Sequence, residues 1–140
     1  MKTPVLALIV LAALAVSAQS VSDETAKHAA QTAAHLHDSM LDPASFVLDG
    51  AYVTKPNKKG QVSYCYTFRS HNRMGGYSDG KAVEDGSDKG RLSVYDHPAD
   101  TGGWTGYDTG WVAPCKAKNI DRDITADVSA LAPSLYKKTH

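Results

Sequence analysis

The apolar positions of this chain change their period along its length, and each change predicts an element. Val5 to Val16 are apolar without interruption, behind a single positive charge at Lys2, and end in the small-residue run Val16-Ser17-Ala18. A membrane-spanning helix needs about 20 apolar residues. This shorter run reads as a Sec-type signal peptide over residues 1–18, cleaved between Ala18 and Gln19. Ser22-Asp23-Glu24 then offers a capping residue followed by negative charge in a first helical turn. Ala26, Ala29, Ala30, Ala33, Leu36 and Met40 follow at helical spacing, and Pro43 predicts a stop near Leu41. An alanine-lined face predicts close approach to a sheet.

From Ser45 the period becomes two. Phe46, Leu48 and Tyr52 alternate with Val47, Asp49, Ala51 and Val53, which predicts a strand to Thr54. Lys55 to Gly60 is turn chemistry. Val62, Tyr64, Tyr66 and Phe68 then alternate with Gln61, Ser63, Cys65, Thr67 and Arg69, so an aromatic face meets the helix and Cys65 points to the opposite side. A turn at 70–76, a strand at 77–84, a turn at 85–90 and a strand at 91–95 with Leu92 and Val94 inward complete the pattern. Residues 100–110 read as a loop. Ile124, Val128 and Leu131 predict a short helix stopped by Pro133, and 135–140 a frayed tail. The expected fold is α+β: an N-terminal helix on a four-stranded antiparallel meander, in one domain over residues 19–140.

Composition refines this picture at two points. Fifteen basic and fifteen acidic residues balance, so the bulk charge that draws proteins to nucleic acid or anionic membranes is missing. Neither partner is expected, nor a membrane span after cleavage. Cys65 and Cys115 are the two cysteines. Outside the cytoplasm an isolated pair reads as one disulfide. It closes a loop of roughly fifty residues and ties the C-terminal segment to the second face of the sheet.

Catalytic and metal motifs are weak. His28 and His35 share a helix side but read as solvated surface. Asp79, Glu84, Asp85 and Asp88 do not match the spacing of a calcium loop. Asp96-His97 are adjacent and point opposite ways on an extended chain. No Gly-x-Ser-x-Gly elbow occurs, and no metal or cofactor is expected. Trp104 and Tyr107 lie among glycines as candidate stacking groups, and Trp111 reads as packing on the disulfide. Around Asn72, Gly75 and Gly76 a tight hairpin is expected, with both glycines at positive φ and Asn72 capping. Tyr77 then restarts the strand across from Phe68 or Arg69. His71 and Arg73 at its tip are candidate contact residues.

The segment from Cys65 to Tyr77, with Asn72 seven residues after the cysteine and then Gly75-Gly76-Tyr77, resembles a group of small secreted bacterial proteins of uncharacterised function. Leu41-Asp42-Pro43-Ala44-Ser45 is similar to that group's Asp-Pro-x-Ser entry to the first strand. Arg69 departs from the pattern, which carries a second asparagine there. The resemblance implies a periplasmic or secreted location and brings no activity or ligand. The expected function is non-catalytic binding of an envelope or extracellular partner. Two alternatives stand beside it: a small hydrolase using His71 or His97, and a carbohydrate-binding module using Trp104 and Tyr107. A deep cleft placing two carboxylates on either histidine would favour the hydrolase.

Overall fold

The computed structural model describes residues 13–87, 90–96 and 113–137, with side chains from residue 24. Helix α1 spans Ala13–Ser39. It is continuous through Ser22, the expected start, because residues 13–22 contain neither glycine nor proline to break it. Ala26, Ala29, Ala30, Ala33 and Leu36 are buried on one face, as their spacing predicts. A single 3₁₀ turn, Pro43–Ser45, leads into strand β1, Val47–Thr54.

The sheet continues with β2 (Tyr64–His71), β3 (Tyr77–Glu84), β4 (Leu92–Asp96) and β5 (Ile120–Asp123), in the spatial order β4-β3-β2-β1-β5. All its neighbouring pairs are antiparallel. The expected meander of four strands thus gains a fifth, β5, which returns to pair with β1. Tyr66, Phe68, Ala51, Val53 and Ala82 form the helix-facing core with α1, and Val62 and Tyr64 pack against it. Cys65 lies on the other face and is bonded to Cys115, with Val83, Tyr52, Tyr95 and Ile120 around the bridge. Both sides of the sheet are therefore covered, α1 on one and the disulfide segment on the other.

Two expectations about the strands are corrected by packing. In β1, Leu48 pairs with Phe68 but Gly50 with Thr67, so Asp49 is an extra residue. That bulge reverses the alternation: Phe46 and Leu48 share the helix-facing core with Ala51 and Val53, while Tyr52 turns to the disulfide. In β4, Leu92 packs on the core, but Val94 is 43% exposed because β4 is the sheet's edge among the described residues.

At the C-terminus, helix α2 spans Thr125–Leu131 and passes into a 3₁₀ turn, Ala132–Leu135, through Pro133. A proline in a first turn has no hydrogen bond to lose. The buried face is Ile124, Val128 and Ala132, at strict four-residue spacing, and Leu131 points outward. The expected frayed tail is docked as far as residue 137. Tyr136 stacks on His37 with ring centroids 3.6 Å apart, and Lys137 N donates to the Asp38 carboxylate at 3.1 Å. His37 is 2% exposed and its Nδ1 lies 2.8 Å from Asp38 Oδ1. Burial first, then the Asp38 charge, push the Tyr136 hydroxyl above its usual pKa.

Candidate functional site

The β2–β3 turn is built by one side chain. Asn72 Oδ1 accepts from Met74 N at 2.9 Å and Gly76 N at 3.2 Å, while its Nδ2 donates to Ser78 Oγ at 3.2 Å. Its backbone N–H donates to Gly76 O, and its carbonyl accepts from Gly75 N. Gly75 has φ +82°, in the left-handed region that glycine adopts without strain. Gly76 does not have a positive φ, and a Cβ there would meet only Asn72 at 3.8 Å. The paired glycines therefore have different reasons to be glycine, and only Gly75 is required by conformation. Gly75→Ala is expected to lose about 1–2 kcal/mol in urea unfolding, and Gly76→Ala almost nothing; equal losses would overturn this assignment.

Tyr77 pairs with His71 rather than with Phe68 or Arg69, because the turn closes at least two positions nearer the tip than expected. The two rings lie 4.4 Å apart. The Arg69 guanidinium sits 5.8 Å from the Tyr77 centroid. It also grips Asp49 with two hydrogen bonds, Nε to Oδ2 at 2.8 Å and Nη2 to Oδ1 at 2.9 Å. That fork is bidentate, and the hydrogen bond with Asp49 holds the guanidinium still more firmly protonated. The bulge that misaligns β1 is what delivers Asp49 to Arg69.

His71 is fixed from a distant part of the chain. Its backbone N–H donates to Ser45 Oγ at 2.7 Å, and its Nδ1 lies 3.0 Å from Asp42 Oδ2. Ser45 in turn donates to Asp42 O at 2.7 Å. Asp42-Pro43-Ala44-Ser45 and the hairpin that follows Cys65, well separated in the chain, meet here. Asp42 and Ser45 escape a reading of the sequence because they lie 29 and 26 positions from His71.

Beside this contact is an open pocket of about 230 Å³, with Met40, Leu41 and Phe68 as apolar lining and Ser70, His71, Arg73 and Ser78 among its polar groups. Met74 at the tip is 91% exposed, Leu41 66% and Tyr77 54%. Chemically this is a held imidazole, a guanidinium and an apolar rim. His71 has one carboxylate partner, Asp42, and is 36% exposed in its side chain. Asp79 also lines this pocket, which is open, and among the described residues Asp42 is the carboxylate hydrogen-bonded to the His71 ring. His97, Trp104, Tyr107 and Trp111 lie outside the described residues, as does Asp88.

A second polar cluster sits between α1 and the sheet. Glu84 is 7% exposed, and its carboxylate meets His28 Nε2 at 2.6 Å and accepts from Thr32 Oγ1 at 2.6 Å. His28, expected as a solvated surface group, thus partners a buried acid, although half of its side chain stays in water. The ring of Tyr64 lies 4.9 Å from that of His28. Among the described residues the buried Tyr66 hydroxyl has no well-formed hydrogen bond, with Thr32 its polar neighbour. Burial first, then the Glu84 charge, push both tyrosine hydroxyls above their usual pKa, so both stay protonated at neutral pH. Both carboxylate oxygens are occupied by α1, so the cluster fixes the helix on the sheet rather than presenting a reactive group.

Asp85 and Asp123 are likewise spent locally. Their carboxyls, held below the usual carboxylate range by the hydroxyls of Ser87 and Thr125 respectively, organise the turn after β3 and the start of α2. Asp79 lies opposite Arg69 on β3. Among the described residues no three His, Cys, Asp or Glu side chains converge as metal ligands, and no helix is long and apolar enough to cross a membrane. No protein-family model, curated protein or solved structure matches this chain.

Proposed function

We propose that this is a secreted or periplasmic bacterial protein that binds a partner or ligand through the β2–β3 hairpin end and catalyses no reaction. On this reading residues 1–18 are a cleaved signal peptide, and the chain belongs with the secreted proteins that its Cys65–Tyr77 segment resembles. The disulfide supports an oxidising compartment. The observation that carries the binding role is the hairpin end itself. Met74, Leu41 and Tyr77 are held in solvent around Arg73 and the anchored His71, on a turn made rigid by Asn72. Exposed apolar groups rimmed by polar ones mark interaction surfaces.

The test is a photo-reactive side chain at position 74, with position 58 in the β1–β2 turn as the control, in cells that export the protein. Position 74 is expected to capture a discrete species and position 58 none. The double variant His71→Ala/Arg73→Ala is expected to lose capture with its melting temperature lowered by no more than a few degrees. Capture that survives the double variant would remove the hairpin end as the site. The hydrolase reading retains one favourable observation, the Asp42–His71 pair; among the described residues no hydroxyl or thiol is hydrogen-bonded to that imidazole, although Ser70 and Ser78 line the same pocket.

A further inference from the structure

We propose that the mature chain carries a pyroglutamate at Gln19, a covalent modification that closes its N-terminus. This rests on the reading of residues 1–18 as a signal cleaved after Ala18. Two observations lead to it. The residue that cleavage exposes is glutamine, whose side-chain amide lies within five-membered-ring reach of its own α-amine. The second is that α1 runs unbroken from Ala13 to Ser39, across the cleaved bond.

Cleavage therefore makes Gln19 the first residue of a helix. The carbonyl four residues back, that of Ala15, leaves with the signal, so the Gln19 nitrogen loses the only backbone partner a helix offers it. Among the residues with described side chains, the first that is buried on α1 is Ala26. The new ammonium would also place a positive charge at the positive end of the helix dipole, the unfavourable arrangement.

Cyclisation relieves this without any cofactor. The α-amine nitrogen attacks its own side-chain carbon Cδ, a Cδ–N bond forms, and the Cδ–Nε2 bond breaks. One amine proton departs with Nε2 as ammonia. The product is a neutral lactam that keeps one N–H, adds an acceptor, and removes the terminal charge. The closed terminus gives aminopeptidases no free amine to engage, an advantage for a protein working outside the cell.

The experiment is intact-mass analysis of the full-length gene product purified from the extracytoplasmic fraction, combined with amine labelling and digestion by pyroglutamyl aminopeptidase. The expected mass is that of residues 19–140 less one ammonia and the two hydrogens lost in the Cys65–Cys115 disulfide, with no label on the α-nitrogen. Digestion should expose Ser20 as a labelled terminus, and Gln19→Ala should carry a labelled terminus without digestion. A mass of residues 19–140 with no ammonia lost and a labelled Gln19 overturns the modification and leaves secretion standing. A terminus elsewhere after residue 1 does the same. A chain retaining Met1 overturns both this inference and the secreted reading.

Discussion

Replacing both cysteines, Cys65→Ala/Cys115→Ala, is expected to cost about 4 kcal/mol, the chain-entropy value for releasing a loop of this size. The bridge joins positions 50 residues apart. Small domains have only about 5–15 kcal/mol in total, so the variant should unfold at a much lower denaturant concentration. The loss should also be uneven. On the α1 side the core is a large cluster reaching from Ala29 to Ala132. On the disulfide side the buried residues among those described are Cys65, Val83 and Cys115, with Tyr52, Tyr95 and Ile120 partly covered around them. Among the described residues that layer has little apolar area to hold it without the bond. Native-state hydrogen exchange should therefore open the segment around Cys115 and β5 before β2 and α1. Unchanged stability in the double variant, or uniform opening, would show that the second layer does not depend on the bridge.

How far the fold was legible follows from the same contrast. β2 could be read residue by residue because its aromatic positions alternate without a bulge, and both of its faces are buried as that alternation requires. β1 could be located but not phased. The extra residue at Asp49 has no marker beyond the following Gly50, and one extra residue turns every later side chain to the other face. β5, Ile-Asp-Arg-Asp, is four residues with three exposed. An edge strand of charged residues carries no hydrophobic period, and charge there discourages further pairing. The docking of Tyr136 on His37 could not be read either, since it is a contact across 99 residues.

The candidate site divides the same way. Asn72 and Gly75 belong to a local turn, where backbone chemistry is decided within a few residues, and sequence alone located them. The Asp42, Ser45 and Asp49 contacts depend on strand register, which depends on the bulge.

Gly80 supplies the other large effect. It lies in the middle of β3 opposite Phe68, and a Cβ there would sit 2.3–2.9 Å from Cε2, Cζ and Cδ2 of the Phe68 ring. Glycine inside a strand costs backbone entropy and often marks the close approach of another group. Here the group is an aromatic ring lying across the bare backbone. Phe68 is 2% exposed and packs on Phe46 with centroids 5.5 Å apart, so a second ring resists its displacement on that side. Gly80→Ala is expected to lose about 2–3 kcal/mol, at the upper end of ordinary overpacking, although alanine is otherwise the better strand residue. Phe68→Leu should also destabilise, by vacating ring volume. In the double variant the smaller leucine leaves room for the new methyl, so the combined loss should fall short of the sum by about 1 kcal/mol or more, a coupling typical of residues in contact. Strict additivity in urea unfolding, or a Gly80→Ala protein as stable as the parent, would mean that the ring does not close over Gly80.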